Sequence, residues 1–104
     1  MTITMQSIRE TIMGIQSNLV MVNAKVVSGT SSPFTFQKTA SDMKDLMCMI
    51  GPCKSSEYVA KAIEELNESY HECAANDGEI TENFSIYMDI CVGNLRAAYI
   101  NLEK

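Results

Sequence analysis

Four cysteines, one histidine and a run of carboxylates are the side chains in this sequence whose types and spacing could do chemistry. Cys48, Cys53, Cys73 and Cys91 follow a C-x4-C-x19-C-x17-C pattern. A zinc knuckle places two thiolates close in sequence so that both reach one tetrahedral ion, and disulfide exchange uses C-x-x-C; neither spacing occurs here. Three states stay open for these thiols: reduced structural residues, two disulfides, or ligands of one metal ion. Cys73 and Cys91 fall on apolar helical positions, where a free thiol packs as a small hydrophobe. Cys48 and Cys53 flank Gly51-Pro52 and form the better exposed redox pair, provided the turn allows disulfide geometry.

His71 is the only histidine, and the nearest thiol in sequence, Cys73, stands two residues on. On a helix those positions face different ways, so a Cys–His or Ser–His couple needs a partner from another element. His71 is expected at the surface near Glu68. The loop Asn76-Asp77-Gly78 has the glycine of a calcium loop, but aligning it puts Cys73, Ala75 and Phe84 at ligand positions that require oxygen. Asn67-Glu68-Ser69 and Asn83-Phe84-Ser85 match a glycosylation acceptor, a pattern that matters only on a secretory route. There is no phosphate-binding loop and no dinucleotide glycine fingerprint, so no cofactor and no enzymatic activity are expected.

Carboxylates crowd one stretch: Glu64, Glu65, Glu68, Glu72, Asp77 and Glu79. Negative charge at a helix C-terminus opposes the macrodipole, and Glu68 and Glu72 repel at i, i+4. Each effect is small, about 0.3–1 kcal/mol for the dipole, but stability alone does not select this arrangement. Two readings follow. One is a plainly solvated face. The other is a contact surface for a basic partner around Glu68, Glu72, Asp77 and Glu79.

The elements that carry these residues read as helices. Met5, Ile8, Ile12, Ile15, Leu19, Val22 and Val26 alternate steps of three and four, an apolar seam. Gly14 within it suggests a close contact. Residues 28–33, Ser-Gly-Thr-Ser-Ser-Pro, break the pattern. The second helix then starts either with Pro33 behind Ser32 as N-cap, or later with Thr39 as cap and Asp42 three residues on. Met43, Met47 and Ile50 form its stripe with Leu46 beside it, and Gly51-Pro52 ends it. Ser55 or Ser56 is expected to cap a third helix through Val59, Ile63, Leu66, Tyr70 and Cys73, with Glu57 and Lys61 paired on its surface. Asn76-Asp77-Gly78 closes that helix. Thr81 caps a fourth, seamed by Phe84, Met88, Cys91, Leu95, Ala98 and Leu102. Phe34 and Phe36 are either core plugs or exposed anchors.

Four amphipathic helices joined by short links predict an all-α fold, a compact antiparallel bundle forming one domain over residues 1–104. Composition agrees. The chain is 46% apolar, has no Trp, and carries eight Met that suit adaptable cores or adaptable surfaces. Net charge is −5, with +1 over residues 1–50 and −6 over 51–104. The acidic half disfavours nucleic acid and anionic membranes, which attract clustered Lys and Arg. No apolar run reaches the length of a membrane span, and no leader segment opens the chain, so a cytoplasmic protein is expected, with a secreted mature domain as the alternative.

The first helix is the most informative feature. It carries no charge between Glu10 and Lys25, and Met13, Val20, Met21 and Val27 add apolar surface beside the seam. Either it is the central helix of its own bundle, or it also pairs with a copy of itself or with a partner helix. The expected function is a non-enzymatic protein-interaction module: a small chaperone, an inhibitor or immunity protein, or an assembly subunit. Its partner is another protein or a second copy in a homodimer, reached through Met13, Val20 and Met21 and the acidic surface. The alternative is a secreted, disulfide-stabilised helical domain that holds a lipid or other apolar ligand.

Overall fold

A computed structural model of the chain describes residues 4–29, 33–77 and 79–102, with the side chains of Val27, Pro33 and Phe34 outside that description. The order is α1 (Met5–Ser28), α2 (Pro33–Ile50), α3 (Lys54–Ala75) and α4 (Glu82–Asn101). The fold is the expected all-α four-helix bundle.

Each helix has a local reason to start and stop. Thr4, with extended backbone, caps α1: its Oγ1 accepts from the Ser7 amide at 3.1 Å, and Ser7 Oγ accepts from the Thr4 amide at 3.0 Å. This reciprocal pair satisfies two amides that a helix start leaves without partners. Gly29 at φ 76° and Gly51 at φ 80° end α1 and α2 in the left-handed region, which glycine enters without a Cβ clash. Their amides return to Val26 O and Met47 O.

α2 begins at Pro33, so the earlier of its two predicted starts holds; Ser32 lies outside the described residues. Thr39 is no cap. It is buried mid-helix, and its hydroxyl donates to Thr35 O at 3.0 Å. The α2 seam is also wider than predicted: Phe36, Thr39, Met43 and Leu46 are buried, whereas Met47 and Ile50 are half-buried. Phe36 is thus a core plug, its ring 5.1 Å from that of Tyr70.

α3 starts before either predicted serine, with Cys53 at the N-cap. Both serines are drawn elsewhere. Ser56, at the third helical position, accepts from the Cys53 amide at 3.1 Å and donates to Cys53 O at 2.8 Å. Ser55 is buried and donates to Ala98 O of α4 at 2.7 Å. The expected Glu57–Lys61 pair does not form; Lys61 Nζ lies 5.3 Å from the centre of the Tyr58 ring instead. α4 is capped as predicted, Thr81 Oγ1 accepting from the Phe84 amide at 3.1 Å. Gly78, expected to close α3, lies outside the described residues.

The helices run up-down-up-down around a ring. The start of α3 meets the end of α4 through Ser55, and the end of α3 meets the start of α4 where Thr81 donates to Glu72 Oε1 at 2.8 Å. Phe36 early in α2 meets Tyr70 late in α3. A cleft lined by Val22, Lys25, Thr35 and Thr39 joins the end of α1 to the start of α2, and another joins Met5 of α1 to Leu102. The α3–α4 interface is the most extensive, and α1 makes the smallest contribution.

One hydrophobic cluster collects the inward faces of all four helices, with Ile12, Met43, Leu46, Leu66, Phe84 and Leu95 fully buried. In α1 every seam residue from Ile8 to Val26 is buried, but Met5 is 43% exposed at the helix start. No helix among the described residues is long and apolar enough to cross a membrane.

Candidate partner-binding surfaces

The candidate chemical residues do not converge. All four thiols are free; Cys48 and Cys53 are exposed, and Cys73 and Cys91 are buried on the seams of α3 and α4. Burial, and then the nearby Glu65 carboxylate, push the Cys91 thiol up from an ordinary 9.0 to about 12, so it stays protonated and unreactive. Among the described residues no group of three or more His, Cys, Asp or Glu is placed to hold a metal ion. His71 is exposed, with its ring 5.6 Å from that of its neighbour Tyr70.

The acidic stretch divides into a structural part and a solvated part. Glu72 is half-buried, and its Oε1 accepts from Thr81 Oγ1 at 2.8 Å and from Asn76 Nδ2 at 3.3 Å. It ties the end of α3 to the start of α4, so its place near a helix C-terminus is explained inside the chain. Glu68, Asp77 and Glu79 are exposed. Asp77 takes φ 55°, a left-handed conformation that Asp tolerates better than most residues.

The apolar residues of α1 outside its seam do not make it a central helix. Met13 is 56% exposed, Val20 67% and Met21 57%. α1 is buried on one side only, and its second apolar side faces outward. At 3.6 residues per turn, Met13 and Val20 share a face, whereas Met21 stands about 100° further round. Val20 therefore leans towards α4, beside a shallow cleft lined by Ser85, Met88 and Asp89. Met21 leans towards α2, beside Thr35 and Lys38. The predicted residues form two edges of one exposed surface rather than one stripe. Val27, the fourth of them, lies outside the described side chains. Gly14 does not mark a close contact: a Cβ there would meet nothing within 4 Å.

A further surface escaped the periodicity argument. On α4, Ile86, Ile90 and Ile100 are 46%, 43% and 55% exposed. With Gly93 and Ala97 they step by 4, 3, 4 and 3, a second seam opposite the one that packs inward. The signal was present in the sequence, offset by two residues from the core seam. It was masked because reading one apolar face of a helix leaves its other apolar residues unassigned.

Open clefts lie along the helix–helix seams. One of about 360 Å³ between α1 and α2 is lined by Thr11, Gly14, Ile15, Asn18, Asp42 and Asp45. Met5 and Met21 are exposed and line two of these clefts, and Met13 is exposed on α1. Comparison with protein families, with curated proteins and with solved structures finds no match to this chain.

Proposed function

We propose that this protein is a non-enzymatic interaction module whose outward α1 surface, centred on Met13, Val20 and Met21, docks an apolar helix or strand of another protein. The observation that carries the reading is the exposure of these side chains on a helix whose own seam is already buried. Large apolar side chains grouped on one exposed helix surface are a common mark of a protein interface. The uncharged run from Thr11 to Ala24 supports the same reading, because charged residues are depleted at interface cores. Met at two of these positions suits a surface that adapts to its partner. Stoichiometric roles such as chaperone, inhibitor or assembly subunit share this requirement. Exposed Glu68 within α3, with Asp77 and Glu79 in the α3–α4 turn, supplies a charge bias against acidic partners.

Site-specific photocrosslinking tests the proposal. A photoreactive side chain at Met13 or at Val20 is expected to give one discrete adduct in the native cell. The same group at exposed Lys44 of α2 is expected to give none. Equal labelling at all three positions, or none at Met13 and Val20, overturns the α1 assignment.

A further inference from the structure

The outer seam of α4 is self-complementary, and we infer that it pairs antiparallel with the α4 of a second copy of this chain. Ile86 stands seven residues before Gly93 and Ile100 seven residues after it. A twofold axis through Gly93 therefore sets Ile86 against Ile100 of the other copy and brings Ile90 beside Ala97 of the other copy. Such an isologous contact needs only one patch, used twice.

The glycine at the centre has no explanation inside the chain. A Cβ at Gly93 would meet nothing within 4 Å, and Gly93 is not among the glycines with positive φ. Glycine in a helix interior weakens the helix relative to alanine. At the crossing point of two helices it allows the backbones their closest approach.

Charge selects the occupant and the direction. With the outer seam as the a and d positions of a heptad, Asp89 and Arg96 are consecutive g positions on one flank. Antiparallel pairs match g with g, so Asp89 of each copy lies opposite Arg96 of the other. A parallel pair would match g with e, where Tyr87 and Asn94 offer no charge. Both charged side chains are exposed, and neither forms an ion pair among the described residues. The seam is narrow, smaller than the roughly 20–30 residues a side of a standard interface, so pairing depends on concentration. This inference rests on a different helix from the α1 reading, although Asp89 borders the cleft that Val20 also lines.

Sedimentation of the full chain with reductant, from low micromolar to near-millimolar concentration, tests it. The wild type is expected to pass from monomer to dimer, and Ile90→Glu to remain monomeric with unchanged helicity. Asp89→Arg and Arg96→Asp are each expected to weaken pairing about fivefold. The double swap Asp89→Arg/Arg96→Asp recreates the cross-copy match and is expected to return to within about twofold of wild type. Gly93→Ala is expected to raise the melting temperature of the monomer while weakening the dimer. A monomer at every concentration overturns the inference, and so does a dimer indifferent to Ile90→Glu. Single swaps that the double swap does not rescue overturn the antiparallel register.

Discussion

Cys91 shows how a residue with chemical capacity becomes a packing residue. Its thiol is fully buried on the α4 seam, and burial, helped by Glu65, raises it from an ordinary 9.0 to about 12. The consequence for stability has a definite sign. Below pH 9 the thiol is protonated both folded and unfolded, and its contribution is complete. Between pH 9 and about 12 only the unfolded chain releases the proton, so unfolding gains up to about 1.4 kcal/mol per pH unit from this group. Stability measured in urea is therefore expected to fall above pH 9 more steeply in the wild type than in Cys91→Ala, although the variant starts lower because it leaves a cavity. Parallel slopes would mean that this thiol titrates in the folded chain. The burial of Cys73 and Cys91 was legible in the sequence, since both sit on seams. The roles of Ser55 and Glu72 were not. Ser55 donates to a carbonyl 43 residues away and Glu72 accepts from a hydroxyl nine residues on. Periodicity describes which way a side chain faces and is silent about the polar partner it meets.

At the scale of the element, the α3–α4 junction couples a cap to a carboxylate. Thr81 Oγ1 accepts from the Phe84 amide while donating to Glu72, so one hydroxyl both starts α4 and holds it to the end of α3. Thr81→Ala is expected to cost about 1 kcal/mol, the ordinary worth of an N-cap, plus the lost bond to Glu72. Glu72→Ala is expected to cost about 0.5–1 kcal/mol. Because the variants remove a shared bond, the double variant should fall short of their sum by about 0.5 kcal/mol or more in urea melts. Strict additivity would mean that Glu72 belongs to the solvated acidic face with Glu68. Helix existence was legible from steps of three and four, and the Thr81 cap from residue type. Boundaries were less so. Thr39, Ser55 and Ser56 are all good capping types, but Thr39 found a carbonyl in its own helix, Ser55 found one in α4, and Ser56 serves as the reciprocal partner of Cys53. Cys53 has little intrinsic capping preference, so residue type could not reveal it. The α1 face was legible as apolar but not as outward, because the number of sides a helix buries depends on where it stands in the ring.

For the whole molecule, the inward and outward faces separate folding from association. The inward seams converge on one hydrophobic cluster, so removing side-chain volume there should unfold all four helices together. Leu66 is fully buried at the centre of α3. Leu66→Ala is expected to cost about 2–5 kcal/mol, a large part of the 5–15 kcal/mol typical of a domain. Loss of helical circular dichroism and of tyrosine near-ultraviolet signal should then coincide along the urea axis. Val20 is 67% exposed, and Val20→Glu is expected to leave stability within about 0.5 kcal/mol while removing the α1 crosslink. Neither substitution alone is decisive, since an unfolded chain also loses its partners. The pair is decisive because the two faces predict opposite patterns: stability lost for Leu66→Ala, and binding lost at full stability for Val20→Glu. A Val20→Glu protein that unfolds with Leu66→Ala would place Val20 in the core and return α1 to the centre of the bundle.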